Sequence, residues 1–325
     1  MRLVLERLAH NAVALLAVTT ILFFMFRLMP GSPLAAYLND NLNADQQRLI
    51  LEQFGLDKPL WMQYFIYLKN LLSGELGLSF FQRRPVLTIL LEALPNSLIL
   101  TLVSLVIAYI FGVLAGAWLA WKRGTWVEGV AVPAVLASRA APEFWIGMVL
   151  LAVLSFNLGW FPSGGASSPG LAYTSQWGRI FSLDYLGHLA LPVLTLALYL
   201  QGLPLLLMRS NMLEVMHEEF VTMARMKGFS EWRIVIRHAA RNALLPVVTA
   251  FALGVGISMG GNVVIETVFS WPGIGRLLVQ AVSVHDYPLA QGAFLMIAMV
   301  LALMNFIADL LYMVLDPRVS HGRKS

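Results

Sequence analysis

The 325-residue chain contains no cysteine. This excludes disulfides, thiolate nucleophiles and cysteine-bound metals, without fixing a compartment. Charge is also scarce. Only 12% of the residues are Asp, Glu, Lys or Arg, about half the share of a soluble domain. No G-x-x-x-x-G-K-[ST] phosphate loop is present, because none of the five lysines follows a glycine. A Walker-type nucleotide site in this chain is thereby excluded. None of the six histidines pairs with another at i,i+3 or i,i+4 spacing, which argues against a metal held by one helix. There is no internal repeat and no low-complexity tract.

Apolar surface is abundant instead. Hydrophobic residues make up 58% of the chain and the mean hydropathy is +0.73, so the implied solvent is lipid. The net charge of +4 fits a positive cytoplasmic rim better than a nucleic-acid surface. A spanning helix needs about 20 mostly apolar residues. Six runs qualify, at 11–29, 96–119, 128–157, 188–208, 244–266 and 289–313. The third looks interrupted. The expected fold is an all-α membrane protein with about six transmembrane helices. The first run is longer than the roughly 7–15 apolar residues of a signal peptide and lacks an obvious cleavage site. It reads as a retained span with Arg27 at its outer end, free to snorkel.

Most Lys and Arg residues fall on alternate connections, which sets both termini in the cytoplasm. The chain then divides into a first span with an outer region (1–95), a membrane core (96–315) with an inner loop at 209–243, and a tail (316–325). The outer region contains an aromatic-rich stretch, WMQYFIYLKNLL, expected to form short surface helices. A second outer loop at 158–187 is rich in Gly, Ser and Pro.

Few residues suggest chemistry. G-x-S-x-G occurs at Gly256, Ser258 and Gly260, but inside an apolar helical run rather than a strand-turn-helix. Close helix packing is the expected role, as for Gly112 and Gly116. Arg139 and Glu143 stand four apart around Pro142, so that they can pair on one helix face. They form either a neutralised structural pair or a polar lining of a solute path. Glu266 and Asp309 are expected to make structural contacts near span ends. The inner segment 209–243 mixes apolar and basic residues at helical spacing and breaks at Gly228. Two short amphipathic helices joined by a glycine turn are expected there. They serve either as a lipid anchor or as a docking element for a cytoplasmic partner.

The second reading gains from a resemblance. TMARMKGFSEWRIVIRHAARNALLP resembles the cytoplasmic EAA loop of ABC importer permeases, in the version of the oligopeptide, dipeptide and nickel permeases. Gly228 matches the glycine of that motif and Ala224 its second alanine, while Thr222 and Met223 depart from its Glu and first Ala. FRLMPGSP (26–33), FGLDKPLWMQY (54–64), the P-x-F-W around Pro142, ETVFSWPGIGRLL (266–278), DYPLAQG (286–292) and DLLYMVLDPR (309–318) extend the likeness over nearly the whole chain.

The resemblance implies a type I ABC importer transmembrane domain with a periplasmic N-terminal region, in the bacterial inner membrane. Its implied partners are a second homologous permease, two cytoplasmic ATPases, a periplasmic solute-binding protein and membrane lipid, with no nucleic acid. The chain itself would need no cofactor, since ATP and Mg would bind the ATPases. The cargo implied is di- or oligopeptides, with nickel chelates, glutathione or another small solute as alternatives. A secondary transporter is the rival reading. The implied ATPase-coupling residues are Ala224, Arg225, Lys227, Gly228, His238 and Arg241, with Arg225 and Lys227 available to acidic groups of the partner. Arg139 and Glu143 are assigned to the solute path. Relatives usually carry an apolar residue at the position of Arg139, so an arginine there would favour anionic solutes or peptide carboxylates.

Overall fold

The structure is a computed structural model that describes residues 2–27, 58–258 and 262–315. Among these, the regular secondary structure is helical, apart from one isolated antiparallel bridge between Leu78 and Pro85. Helix α1 is Arg2–Arg27, α2 Leu60–Leu72, α3 Val86–Trp121, α4 Trp126–Ala140 and α5 Glu143–Leu150, which continues as a π-helical stretch, Leu151–Asn157. Then follow α6 (Gln176–Ile180), α7 (Leu183–Leu200), α8 (Gly202–Val215) and α9 (Glu219–Met226). Helix α10 (Glu231–Arg233) runs through a π-helical stretch (Ile234–Ala239) into α11 (Ala240–Ser258). The last elements are α12 (Val263–Val268), α13 (Ile274–Ser283) and α14 (Tyr287–Leu315).

Among the described residues, five helical segments are long and apolar enough to cross a membrane, and a sixth results if α4 and α5 count as one broken span. The break has a local cause. Pro142 has no N–H and disfavours helical geometry at the residue before it. Ala141 is accordingly extended, at φ −71° and ψ 139°, and the two helices meet at 105°. At about 1.5 Å per residue, the 36 residues of α3 reach about 54 Å, well beyond the roughly 30 Å of hydrocarbon. Part of α3 therefore lies outside the span expected at 96–119.

Two other spans differ from expectation. The run 188–208 is divided between α7 and α8. The second amphipathic helix expected after Gly228 is not separate. It belongs to one 25-residue helical segment, Glu231–Val255, because no glycine interrupts EWRIVIRHAARNALLP and Pro246 is accommodated inside α11. The aromatic-rich stretch expected to form short outer surface helices is one helix, α2; residues 28–57 of the outer region lie outside the described residues, as do Met259, Gly260 and Gly261.

The chain forms two compact units. Unit 1 comprises Met1–Ser97 and Pro272–Ala302. Its core joins Leu22 and Phe26 of α1, Leu90 and Ala93 of α3, Leu278 of α13 and Ala290 of α14. Buried Asp286 fastens it, accepting hydrogen bonds from Ser79 Oγ at 2.5 Å, Phe81 N at 3.1 Å and Leu289 N at 3.3 Å. Unit 2 comprises Leu98–Trp271 and Leu303–Ser325. One of its cores surrounds Tyr185, Phe269 and Trp271, and another joins α3, α8 and α11 through Leu105, Met208, Met212 and Val247.

Glycine lets α3 and α8 touch. A Cβ on Gly112 would meet Pro204 Cγ at 2.8 Å and the Gln201 carbonyl oxygen at 2.9 Å. One on Gly116 would meet the Leu205 carbonyl and Met208 Cβ. This is the small-xxx-small packing of membrane helices.

Candidate functional site

Helix α9 begins the candidate coupling surface. Val221 and Ala224 are buried against Ile234, with Met216 and Phe229 closing the small cluster. The opposite stripe, Phe220, Met223 and Met226, recurs every third residue and is 38%, 53% and 76% exposed. Helix α9 thus carries one apolar face that anchors it and a second that faces outward.

The turn after α9 follows from one residue. The Gly228 N–H donates to the Arg225 carbonyl at 2.9 Å and the Phe229 N–H to the Ala224 carbonyl at 3.3 Å. These are the two bonds of a Schellman cap, which needs a left-handed residue just past the helix end. Gly228 supplies it at φ +78°. Phe229 then turns back into the cluster, where the His238 ring stacks on it at 5.6 Å and the Arg233 guanidinium sits 4.8 Å from its centroid.

The sequence-derived residues separate into three roles. Ala224 faces inward and holds α9 in place, because it lies on the stripe of Val221. His238 is half-buried and braces Phe229. Lys227, Gly228 and Arg241 are exposed. Arg225 is exposed too, but its guanidinium is engaged by Glu231, Nε to Oε1 at 2.8 Å, and this partner raises its pKa further. The exposed Phe220, Met223 and Met226 were not singled out from the sequence, although their i,i+3 spacing was there to see.

Helix α8 connects this surface to the rest of unit 2. Arg209 on α8 donates from Nε to Glu128 Oε1 of α4 at 2.9 Å, and Glu128 Oε2 accepts from the Gly124 N–H at 2.7 Å. Nearby, the Trp121 and Trp232 rings lie 5.7 Å apart. The turn between α3 and α4 is therefore tied to both α8 and α10.

Arg139 and Glu143 do not pair. The expected i,i+4 geometry requires an unbroken helix, and the bend at Ala141–Pro142 removes it. Among the described residues neither makes an ion pair. Arg139 lays Cγ and Cδ where a Cβ on Gly202 would stand, beside the junction of α7 and α8, and remains exposed. Glu143 is half-buried at the start of α5.

Comparison with known proteins matches the sequence to a family. The binding-protein-dependent transport system inner membrane component family matches residues 112–321. The N-terminal component of the same kind of system matches residues 1–101. The chain belongs to this family.

As a member it is a multi-pass inner-membrane permease component. It is 38% identical over 320 residues to a di/tripeptide transport system permease protein of Pseudomonas aeruginosa (strain UCBPP-PA14), covering 94% of this chain and 95% of the relative. It is 34% identical to an oligopeptide transport system permease protein of Bacillus subtilis (strain 168), covering 98% and 99%. A glutathione transport system permease protein of Escherichia coli (strain K12) is also 34% identical, with 98% of each chain covered.

Proposed function

We propose that this chain is one permease subunit of an ATP-driven importer and forms half of the path by which di- or oligopeptides cross the bacterial inner membrane. The observation that carries this reading is α9. It is a short helix fixed by one face, closed by a glycine cap, and left with an exposed apolar stripe that no described segment of its own unit covers. Such a surface fits a groove on a cytoplasmic ATPase. The proposed complex contains two ATPases, a second homologous permease and a periplasmic solute-binding protein, with both termini of this chain in the cytoplasm. ATP and its Mg ion would bind the ATPases. ATP binding would favour the conformation whose α9 fits the closed ATPase pair, since only differential affinity for two states moves an equilibrium.

Peptides are the proposed cargo because two of the similar permeases are named for di/tripeptide and oligopeptide transport. The glutathione alternative belongs to the same chemical class, glutathione being a tripeptide. Arg139, exposed and unpaired at the broken span, would contact solute carboxylates, and Glu143 would face the same path. Uptake by proteoliposomes containing the complete complex tests the reading. Labelled dipeptide should enter only with both binding protein and ATP. Uptake by the chain alone, driven by an ion gradient, would make it a secondary transporter.

A further inference from the structure

Within unit 1, the end of α1, one side of α2, the segment 74–88 and the start of α14 enclose a cavity of about 460 Å³. Phe26 and Ile66 give it apolar wall, and Arg27, Tyr67, Asn70 and Gln291 bring polar groups into it. Two of these groups are poorly satisfied among the described residues. Arg27 makes no ion pair among the described residues; its guanidinium rests 5.6 Å from the Phe23 centroid. The Tyr67 hydroxyl is buried beside Gln291 but forms no well-made hydrogen bond. Burial pushes its pKa up to about 12, so it remains a donor at physiological pH. A buried donor without an acceptor is unfavourable, and an arginine without a carboxylate suits a phosphate.

The position of the cavity narrows the ligand. Arg27 is the last residue of the first candidate span, so the cavity opens at headgroup level. Trp61 and Phe65 of α2 are exposed, as interfacial aromatics are. Ile21 and Met25 expose an apolar strip on α1 just inside that level, where acyl chains can lie. Glu75 also lines the cavity. Its carboxylate would repel a bare phosphate monoester but would accept a hydrogen bond from a headgroup hydroxyl.

We propose that this cavity binds the headgroup of an anionic phospholipid that carries hydroxyls, such as phosphatidylglycerol, with the phosphate on Arg27 and Tyr67 and the glycerol hydroxyls near Glu75 and Asn70.

The test is thermal melting of the delipidated full-length chain in detergent, titrated with dioleoyl phosphatidylglycerol or dioleoyl phosphatidylcholine in mixed micelles. In wild type, half-maximal stabilisation should need at least tenfold less phosphatidylglycerol than phosphatidylcholine. Arg27→Gln should abolish the difference while keeping the phosphatidylcholine response, which reports a folded chain. Tyr67→Phe should weaken the phosphatidylglycerol response several-fold, and Arg27→Lys should retain part of it. If Arg27→Gln fails to fold, the Tyr67→Phe and Arg27→Lys titrations decide alone. Equal responses to the two lipids in wild type, or an undiminished preference in Arg27→Gln or Tyr67→Phe, would overturn the proposal. Equal stabilisation by water-soluble glycerol phosphate would overturn it as well, in favour of a soluble anion.

Discussion

Arg225 and Glu231 close the turn around Gly228 with two hydrogen bonds, Nε to Oε1 at 2.8 Å and Nη2 to Oε2 at 3.3 Å. The sequence left Arg225 available to a partner's carboxylate; the structure uses it within the loop. Both side chains are largely exposed, and exposed pairs contribute about 0–1 kcal/mol. Glu231→Gln should therefore leave the melting temperature nearly unchanged. A large loss of stability would mean that the pair holds the turn by itself.

The turn depends far more on backbone geometry. A Cβ on Gly228 would meet nothing within 4 Å, so Gly228→Ala costs conformational strain alone, about 1–2 kcal/mol. It should lower ATP-coupled uptake without changing the amount of chain in the membrane. Gly228→Asn, which tolerates the left-handed region better, should recover most of the activity. Equal activity of Gly228→Ala and wild type would show that the turn can be made another way.

Helix contact and helix propensity make opposite forecasts for glycine. At Gly116 an added methyl would run into the backbone of α8, and overpacking costs about 1–3 kcal/mol. At Gly129 a methyl meets nothing, and alanine is favoured over glycine in a helix by about 1 kcal/mol. Gly116→Ala should thus lower the melting temperature and Gly129→Ala should hold or raise it. The same sign for both would refute close packing of α3 on α8.

Much of this was legible in the sequence. Apolar runs located the spans, because 58% hydrophobic residues leave few other solvents for them. Pro142 marked the broken span and Gly228 the turn after α9, since both act on their own backbone. Tertiary partners were not legible. Nothing in the sequence said that Arg209 would find Glu128, 81 residues away, or that Asp286 would collect Ser79 and Phe81. Arg139 and Glu143 failed as a pair because i,i+4 reasoning assumed a helix that Pro142 breaks.

Arg139 carries the prediction about cargo. Its stem packs on Gly202, and its charge has no ion-pair partner among the described residues. Arg139→Leu should keep the complex assembled and reduce uptake of a free dipeptide about tenfold relative to its C-terminal amide, comparable to losing one charge-assisted hydrogen bond. Unchanged preference would remove Arg139 from the solute path.

The most direct measurement is affinity capture of the tagged chain from mild detergent, comparing wild type with the double variant Met223→Asp/Met226→Asp. Both side chains face away from the α9 anchor, so the variant should fold and insert normally. Wild type should bring down a second permease and two ATPase chains, and the variant should keep the permease but lose the ATPases. ATPases retained by the variant, or a wild-type chain captured alone, would contradict ATPase docking on α9.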